Sequence, residues 1–291
     1  MRILVTGANG HLGRRLVERL AHDHDVIAVV RSQRALQILS DFRCQSQIVD
    51  YTDSAGLSAA ARDCDCAVHL VGIIKRTGNN TYTQAHELPC AALALAAEKA
   101  GLKRIVALSI LGSNAESANG CFASRGISEN ILLRGSVPVT ILRVPMVLGE
   151  NDFASKSLQD KAKSRIAFTF RAASIEQPIY AGDVVNAICA LVENPVEDEV
   201  LELAGPESLS RRQLIQRSGT IMGTQPLILS MPVFLGKWMG RVLDLMMSSP
   251  PVTGDMIGLL DHDDDIDSIE VAEKLGIELT SLDVVLARVT L

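Results

Sequence analysis

Three glycines near the N-terminus have the spacing of a turn that binds a diphosphate. Gly7, Gly10 and Gly13 follow the apolar residues 3–5, and residues 14–20 continue with apolar side chains at helical spacing. A strand, a tight turn and a helix are therefore predicted in succession. In such a turn backbone N–H groups and the positive end of the helix dipole face a pyrophosphate, and glycine permits the close approach of the backbone. The spacing predicts a dinucleotide site, with an ordinary strand–helix turn as the weaker alternative.

An arginine closes the second apolar run and indicates which dinucleotide would bind. Residues 25–30 form a predicted buried strand that ends at Arg31 and Ser32. After a glycine turn of this kind, an acidic residue at the end of the second strand binds the ribose 2′-hydroxyl, whereas arginine accommodates a 2′-phosphate. Arg31, with Arg34 close behind it, therefore predicts NADP(H) in preference to NAD(H). The alternative is that Arg31 is only a solvated strand end.

Apolar strands alternate with helical segments through the first half of the chain, and these elements must position the turn. Strands are predicted at 3–5, 25–30, 47–50, 66–72 (the strand with its exit), 105–109 and 139–143, and a long helix from about Asn80 to Ala100. Strands that are apolar on both faces indicate a parallel sheet covered on both sides. The predicted fold class is α/β, a doubly wound parallel Rossmann sheet with a smaller, mostly helical C-terminal region for a substrate or partner.

Composition excludes several functional classes. The chain has 291 residues with 28 basic and 34 acidic side chains, a net charge of −6 that argues against nucleic-acid binding. No apolar run is long enough to span a bilayer, and no basic region with an apolar signal core begins the chain. The six cysteines lack disulfide or zinc spacing. We therefore predict a cytoplasmic protein without a metal, with peripheral attachment to a membrane as an alternative.

The glycine motif also carries a family resemblance. The Thr-Gly-x-x-Gly-x-x-Gly pattern at 6–13 resembles the short-chain dehydrogenase/reductase superfamily, in particular its extended and atypical branches. Residues 69–74, 107–112 and 140–143, with His86 among them, are similar to the atypical subgroup that includes the NADPH-binding accessory subunit of respiratory complex I.

The resemblance runs from Met1 to about residue 210 and implies a set of cofactor contacts. Asp50 and Tyr51 fall where family members contact the adenine. The full implied set is Gly7, Asn9, Gly10, His11, Leu12, Gly13, Arg31, Ser32, Asp50, Tyr51, Leu70, Val71, Gly72, Ser109, Arg125, Val144 and Pro145.

The sequence departs from the superfamily where the chemistry should be. Active members place a tyrosine and, four residues later, a lysine near a strand-end serine. The resemblance puts Cys121 at the tyrosine and Arg125 at the lysine, and retains only Ser109. A thiol is shorter than a phenol and reaches a carbonyl poorly, and arginine differs from lysine in size and geometry.

Two functional classes follow. The missing pair favours a cofactor-binding protein, for which the resemblance to the complex I accessory subunit implies a structural, assembly or sensory role linked to respiratory or quinone metabolism. The retained serine keeps the alternative of an NAD(P)H-dependent oxidoreductase or sugar-nucleotide epimerase/dehydratase-like enzyme with a non-standard proton donor.

The sequence predicts two regions that divide near residue 150. Residues 1–150 are predicted to form the dinucleotide-binding domain, to whose sheet 178–205 return, and 151–177 with 206–291 form the smaller region. Within these segments residues 155–163 read as helical and 166–170 as a strand. Asp183 and Ser210 are predicted helix N-caps.

Residues 231–247 are apolar around most of a predicted helix and contain Trp238, four methionines and two cations, Lys237 and Arg241. Such a stretch must be covered, by the chain's own core, by an apolar small molecule, or by a protein or membrane-surface partner. We predict that one side packs on the smaller region and that the other borders a cleft or a partner.

Overall fold

The structure, a computed structural model, describes residues 1–78, 80–196, 199–236, 238 and 253–290. The chain divides into two compact units. The first comprises Met1–Ile73, Asn80–Arg143 and Val185–Leu201, and the second Ile74–Asn79, Val144–Val184 and Glu202–Leu291.

A seven-stranded parallel sheet confirms the predicted fold class. Its strands are β1 (Arg2–Thr6), β2 (Asp25–Val30), β3 (Gln45–Ile48), β4 (Cys66–His69), β5 (Arg104–Ile110), β6 (Val139–Val144) and β11 (Val200–Glu202). Their order is β11-β6-β5-β4-β1-β2-β3, so the chain reverses direction across the sheet between β1 and β4. In open sheets of this kind ligands bind at that switch point, outside the carboxyl ends of the strands.

Helices cover both faces of this sheet. They are α1 (His11–Leu20), α2 (Gln33–Ile38), α3 (Ser54–Ala60), α4 (Leu88–Ala100), α5 (Gly120–Leu133) and α7 (Ala181–Glu193). The largest described core cluster of the first unit joins strand residues such as Leu4 and Ile27 to α4 residues such as Leu93. This packing follows from strands whose side chains are apolar on both faces.

The long helix predicted from Asn80 to Ala100 is interrupted at its start. A π-helical turn, Thr83–Glu87, precedes α4, and the N–H of Leu88 donates to the carbonyl of Thr83 five residues back. Pro89 in the first turn of α4 has no N–H and so cannot continue a regular ladder into the preceding turn. The wider turn presents His86 toward the end of β4, as described below.

The bounds of two predicted strands need comment, and only the third strand was displaced. The third strand is Gln45–Ile48 rather than 47–50, because the Asp50 side chain accepts a hydrogen bond from the Thr52 N–H and closes a turn there. The fourth strand, predicted together with its exit at 66–72, ends at His69. The three residues after His69 form the loop that lies against the glycine turn.

The second unit contains short strands and helices. The elements are β7 (Val147–Leu148), α6 (Phe153–Lys163), β8 (Ile166–Phe170), β9 (Ile175–Glu176), β10 (Ile179–Tyr180), β12 (Leu209–Ser210), α8 (Arg211–Ile221) and β13 (Leu227–Met231), followed by helices Gly254–Leu259, Ile269–Leu275 and Leu282–Thr290. The helix predicted at 155–163 and the strand at 166–170 are confirmed. A core cluster includes Leu158, Ile215 and Leu286.

Of the two predicted helix caps, one is right and one is wrong. Ser210 accepts a hydrogen bond from Gln213 N and forms a full capping box with the Gln213 side chain. Asp183, by contrast, lies inside the first turn of α7. Its carboxylate accepts hydrogen bonds from the Thr280 N–H and hydroxyl, both 2.8 Å, so it fixes a later segment of the same unit.

Five of the six cysteines are buried, and only Cys44 is half-buried. Burial raises the pKa of the Cys64, Cys66 and Cys189 thiols to about 11 and that of Cys90 to about 12. Among the described residues no helix is long and apolar enough to cross a membrane.

The predicted apolar helix at 231–247 falls largely outside the described residues. Residues 233–236 are helical, whereas 237 and 239–247 lie outside the described ranges. Within the described part, Phe234 is 73% and Trp238 62% exposed. Neither side chain belongs to the core of the chain.

Candidate dinucleotide site

The glycine turn is built by backbone packing that excludes side chains. Gly7 has φ +77°, in the left-handed region that favours glycine. A Cβ atom at Gly13 would lie 2.3 Å from the carbonyl oxygen of Gly7 and 2.7 Å from that of Ala8. The first turn of α1 is therefore pressed against the loop that follows β1. This is the close helix–strand packing that the glycine spacing predicts.

The helix end beside this turn fits a diphosphate. Helix α1 begins at His11 after Gly10, which makes no side-chain cap, and its first turn contains no acidic residue. Backbone N–H groups at such a terminus and the helix dipole favour an anion. The residues present therefore fit a dinucleotide diphosphate at this turn.

Tyr51 connects the glycine turn to the neighbouring strand. Its hydroxyl accepts a hydrogen bond from the Gly7 N–H at 3.1 Å and donates to the carbonyl of Val29, also at 3.1 Å. Burial raises the pKa of the phenol, so it stays protonated and can donate. Sequence reasoning placed Tyr51 near the adenine but missed this link, which joins residues far apart in the chain. Adenine contact by Tyr51 stays a prediction.

Arg31 lies beside Tyr51 at the end of β2. Its guanidinium carbon is 5.4 Å from the centroid of the Tyr51 ring, a cation–π distance. Arg31 is exposed and makes no ion pair within the part of the chain that the structure describes. Ser32 caps α2 by accepting from the Ala35 N–H at 3.2 Å.

The Asp50 carboxylate accepts hydrogen bonds from a residue close to it in the sequence. It accepts from the Thr52 N–H and hydroxyl, both 2.9 Å. These hydrogen bonds, with a smaller contribution from the Arg31 charge, hold the pKa of Asp50 below its usual value.

The side chains of Arg125 and Cys121 contact main-chain carbonyls in β5 and in the loop that follows β4. The Nη1 of Arg125 donates to the carbonyls of Val71 at 3.4 Å and Leu108 at 3.3 Å. A Cβ atom at Gly72 would lie 1.9 Å from the Nη2 of Arg125, so glycine makes room for the guanidinium. The Cys121 thiol is fully buried and contacts the carbonyl oxygen of Ile73 at 3.7 Å.

Ser109, the retained serine, is 3% exposed. Its hydroxyl lies 3.2 Å from that of Ser113, which donates to the carbonyl of Ile110. The structure thus brings Ser109, Cys121 and Arg125 to one edge of the sheet, as their alignment with the superfamily implies.

Two buried histidines at this edge were not assigned a role from the sequence. His69 shares a 2.7 Å hydrogen bond between its Nδ1 and the Thr6 hydroxyl, and the His86 Nε2 lies 2.9 Å from the carbonyl oxygen of Ile73. Burial, assisted by the Arg125 charge, lowers the pKa of each to about 3. Both are neutral near pH 7 and are poor proton donors there.

These histidines also carry unused hydrogen-bonding atoms. Among the described residues, the Nε2 of His69 and the Nδ1 of His86 are buried without a partner, as is the Nε of Arg125. The π-helical turn at Thr83–Glu87 places His86 at this edge of the sheet. No periodicity in the sequence indicated that turn.

The remaining residues predicted to contact the cofactor lie in loops or at the ends of strands. Asn9 is half-buried in the glycine turn, and Leu70 and Val71 follow β4. Val144 ends β6 and belongs with Pro145 to the second unit. Their contact with a cofactor stays a prediction.

The chain is similar to known proteins over most of its length. The chain is 26% identical to NADH dehydrogenase (ubiquinone) 1 alpha subcomplex subunit 9, mitochondrial, of Arabidopsis thaliana, over 85% of this chain and 64% of that protein. It is 24% identical to a ceramide reductase of Caulobacter vibrioides, over 79% of this chain and 73% of that protein. The chain thus spans less than two thirds of the first relative's length.

The fold is also shared with a solved structure. UDP-N-acetylglucosamine 4-epimerase from Bacillus cereus superimposes with a TM-score of 0.75 at 16% identity, covering 100% of this chain and 98% of that one. The resemblance to the short-chain dehydrogenase/reductase superfamily and its epimerase-like members is confirmed. A family model described as NAD(P)H-binding matches residues 7–167, more than half of the chain. The chain therefore belongs to the NAD(P)H-binding family.

Proposed function

We propose that this protein binds NADP(H) in preference to NAD(H) and does not use it for tyrosine-dependent hydride transfer. Its role is structural, sensory or in assembly, linked to respiratory or quinone metabolism. The glycine turn, the uncapped end of α1 and Arg31 would hold the diphosphate and the 2′-phosphate. A bound dinucleotide would supply a hydride at its nicotinamide, and the residues at that end decide whether the hydride is used.

One observation carries the second half of this proposal. At the position that the superfamily gives to its tyrosine, Cys121 is buried and its thiol lies against the Ile73 carbonyl. At the lysine position, Arg125 donates to two main-chain carbonyls instead. A proton donor must reach the reacting oxygen at hydrogen-bond distance. A buried thiol directed at the main chain does not meet that requirement.

The respiratory link rests on the relatives. Subunit 9 of the NADH dehydrogenase (ubiquinone) 1 alpha subcomplex is similar to this chain in Arabidopsis thaliana and, at 22% identity over 96% of this chain, in Rattus norvegicus. This similarity supports a role beside a respiratory enzyme. We place the protein in the cytoplasm, with peripheral attachment to a membrane as part of the same proposal.

The test separates binding from turnover. Purified protein is titrated with NADPH while nicotinamide fluorescence is followed, and NADPH oxidation is then measured with carbonyl and quinone acceptors. Saturable binding without oxidation above the rate in buffer supports the proposal. Sustained turnover with any of these acceptors refutes the non-enzymatic role, and absence of binding refutes the whole proposal.

An enzymatic alternative is favoured by one further observation. Ser109 stays at the end of β5, on the same edge as Arg125, and one relative is a ceramide reductase. In this alternative the protein is an NAD(P)H-dependent oxidoreductase or an epimerase/dehydratase-like enzyme with a non-standard proton donor. The turnover arm of the experiment above decides between the two.

Replacing Arg31 with Asp is expected to weaken NADPH binding about ten- to a hundred-fold while changing NADH binding little. The substitution removes a cation that has no ion-pair partner within the described residues and places a carboxylate where a 2′-phosphate would lie. Fluorescence titration with both cofactors measures the effect. Arg43→Asp makes the same charge change at another exposed arginine of the first unit and should leave both affinities unchanged. Equal affinity of the unmutated protein for NADPH and NADH would contradict the prediction.

Replacing Cys121 with Ala is expected to leave NADPH affinity and any turnover within about three-fold of the unmutated values. The thiol contacts the main chain and is too short to act as the acid of a carbonyl reduction. Parallel titrations and rate measurements on both proteins check this. A fall in kcat of about a hundred-fold with unchanged cofactor affinity is the size expected for a lost general acid and would show that Cys121 does the chemistry.

A further inference from the structure

The second unit presents an apolar sheet face to solvent. Strands β8 and β13 pair in parallel, with Ile166 opposite Leu227 and Phe168 opposite Leu229. These four side chains are exposed, from 40% for Leu229 to 58% for Leu227. We call them the apolar ladder.

Within the described residues, the alternation along the strands shows that this face is unpartnered rather than loosely packed. Ala167 and Ile228, which point to the opposite face, are 3% and 4% exposed and belong to the core of the unit. One face of the strand pair is therefore buried, and the other, made of equally apolar residues, is left open. Large adjoining apolar side chains on a surface of this kind mark an interaction site.

The ladder continues into further exposed apolar residues. Gly236 packs against the next residue of β8 on the same face: a Cβ there would lie 2.6 Å from a ring carbon of Phe170. The short helical stretch at 233–236 is thereby held at the C-terminal end of the ladder. In and beside that stretch Phe234, Leu235 and Trp238 are 73%, 40% and 62% exposed.

The sequence segments that contain this surface are rich in cations, of which Arg171, directly after β8, is paired with Asp261 and Asp263. Residues 153–171 and 221–238, which contain both strands, hold six lysines or arginines and a single acidic residue, Asp160, in a protein of net charge −6. Lys163 and Arg165, directly before the ladder, are exposed and make no ion pair within the described part of the chain. A cationic edge beside an apolar, aromatic surface is complementary to a bilayer with anionic headgroups.

We propose that the apolar ladder, with Phe234 and Trp238, docks this protein on an anionic lipid bilayer, with Lys163 and Arg165 toward the headgroups. The ladder side chains carry no hydrogen-bonding groups, whereas protein interfaces have about one hydrogen bond per 100–200 Å². A lipid surface requires none. Tryptophan and phenylalanine insert readily at the boundary between headgroups and acyl chains. This proposal rests on the peripheral membrane attachment in the proposed function, concerns the second unit and does not depend on dinucleotide binding.

Vesicle flotation tests the proposal with the full chain. The unmutated protein should float with vesicles of phosphatidylcholine and phosphatidylglycerol and bind much less to phosphatidylcholine alone. The fluorescence of Trp238, the single tryptophan, should shift to the blue on binding. The double variant Phe168→Ser/Leu229→Ser should bind about a hundred-fold more weakly, since each lost apolar contact accounts for about ten-fold. Lys163→Gln/Arg165→Gln should reduce the preference for anionic vesicles by about five-fold per charge.

The controls make every outcome decisive. Leu95→Ser removes a 59% exposed leucine from α4 in the first unit and should not alter flotation. NADPH titration and thermal unfolding verify that each variant is folded. Absence of flotation of the unmutated protein, or equal flotation of Phe168→Ser/Leu229→Ser, would overturn the proposal. So would a dimer that this double variant dissociates in solution without any vesicle binding, since the ladder would then be covered by a second copy of the chain.

Discussion

Replacing Gly13 with alanine is expected to destabilise the first unit by about 3 kcal/mol or more and to abolish dinucleotide binding. The new methyl group would lie 2.3 Å from the Gly7 carbonyl oxygen and 2.7 Å from that of Ala8. Both obstacles are main-chain atoms of the turn itself, so relief requires α1 to move away from the loop. That movement displaces the helix end that would hold the diphosphate. Urea unfolding and NADPH titration measure the two losses.

A matched glycine separates this steric effect from the general cost of replacing glycine. Gly101, which follows α4 in the same unit, has φ +69°, and a Cβ there meets nothing within 4 Å. Gly101→Ala should therefore cost only about 1–2 kcal/mol from backbone strain and should leave NADPH affinity unchanged. If Gly13→Ala binds NADPH as well as Gly101→Ala does, the turn is not the cofactor site.

Acidification is expected to destabilise the protein well before its carboxylates titrate. His69 and His86 have pKa values of about 3 in the folded protein, against 6.5 for a free imidazole. Below about pH 6.5 these two side chains bind protons in the unfolded chain but not in the folded one, so the stability that they contribute is complete above that pH and falls as pH decreases. The loss is about 1.4 kcal/mol per pH unit for each histidine. Urea unfolding at a series of pH values measures it.

Substitution of one histidine isolates its contribution. His69→Asn can keep a partner for the Thr6 hydroxyl and cannot be protonated. Between about pH 6.5 and pH 5 this variant should lose about 2 kcal/mol less than the unmutated protein. His22→Asn, which replaces an exposed histidine of the first unit, is the matched control variant. If the free energy of unfolding falls equally with pH in the unmutated protein and in His69→Asn, His69 is not held neutral by burial.

Local patterns allowed the sheet and the glycine turn to be predicted. Gly7, Gly10 and Gly13 lie within one strand–turn–helix unit, and the apolar strands are recognisable one at a time. The glycine spacing therefore predicted the strand–turn–helix unit that the structure contains, and the diphosphate at this turn stays a prediction. Helix capping at Ser210 was also local, since its partner Gln213 is three residues away.

The features that sequence reasoning missed depend on distant contacts. Tyr51 binds Gly7, and Arg125 binds the carbonyls of Val71 and Leu108, residues that only the folded sheet brings together. Asp183 was read as a cap because its true partner, Thr280, lies 97 positions further along the chain. No spacing rule connects such pairs.

Only one of the two strands that form the apolar ladder was predicted from the sequence. The strand at 166–170 was predicted, whereas its partner at 227–231 was not. Burial of one face and exposure of the other could be seen only once Leu227 and Leu229 were placed beside Ile166 and Phe168.

The uneven burial of the cysteines makes the protein suited to site-selective labelling. Maleimides react with thiolates at accessible sulfur atoms, and five of the six thiols are buried, four of them with a raised pKa. Cys44 directly precedes β3, at the amino ends of the parallel strands, whereas the glycine turn lies at the carboxyl ends. A fluorophore on Cys44 would therefore report on the first unit without occupying the dinucleotide site, and no other cysteine would need to be removed.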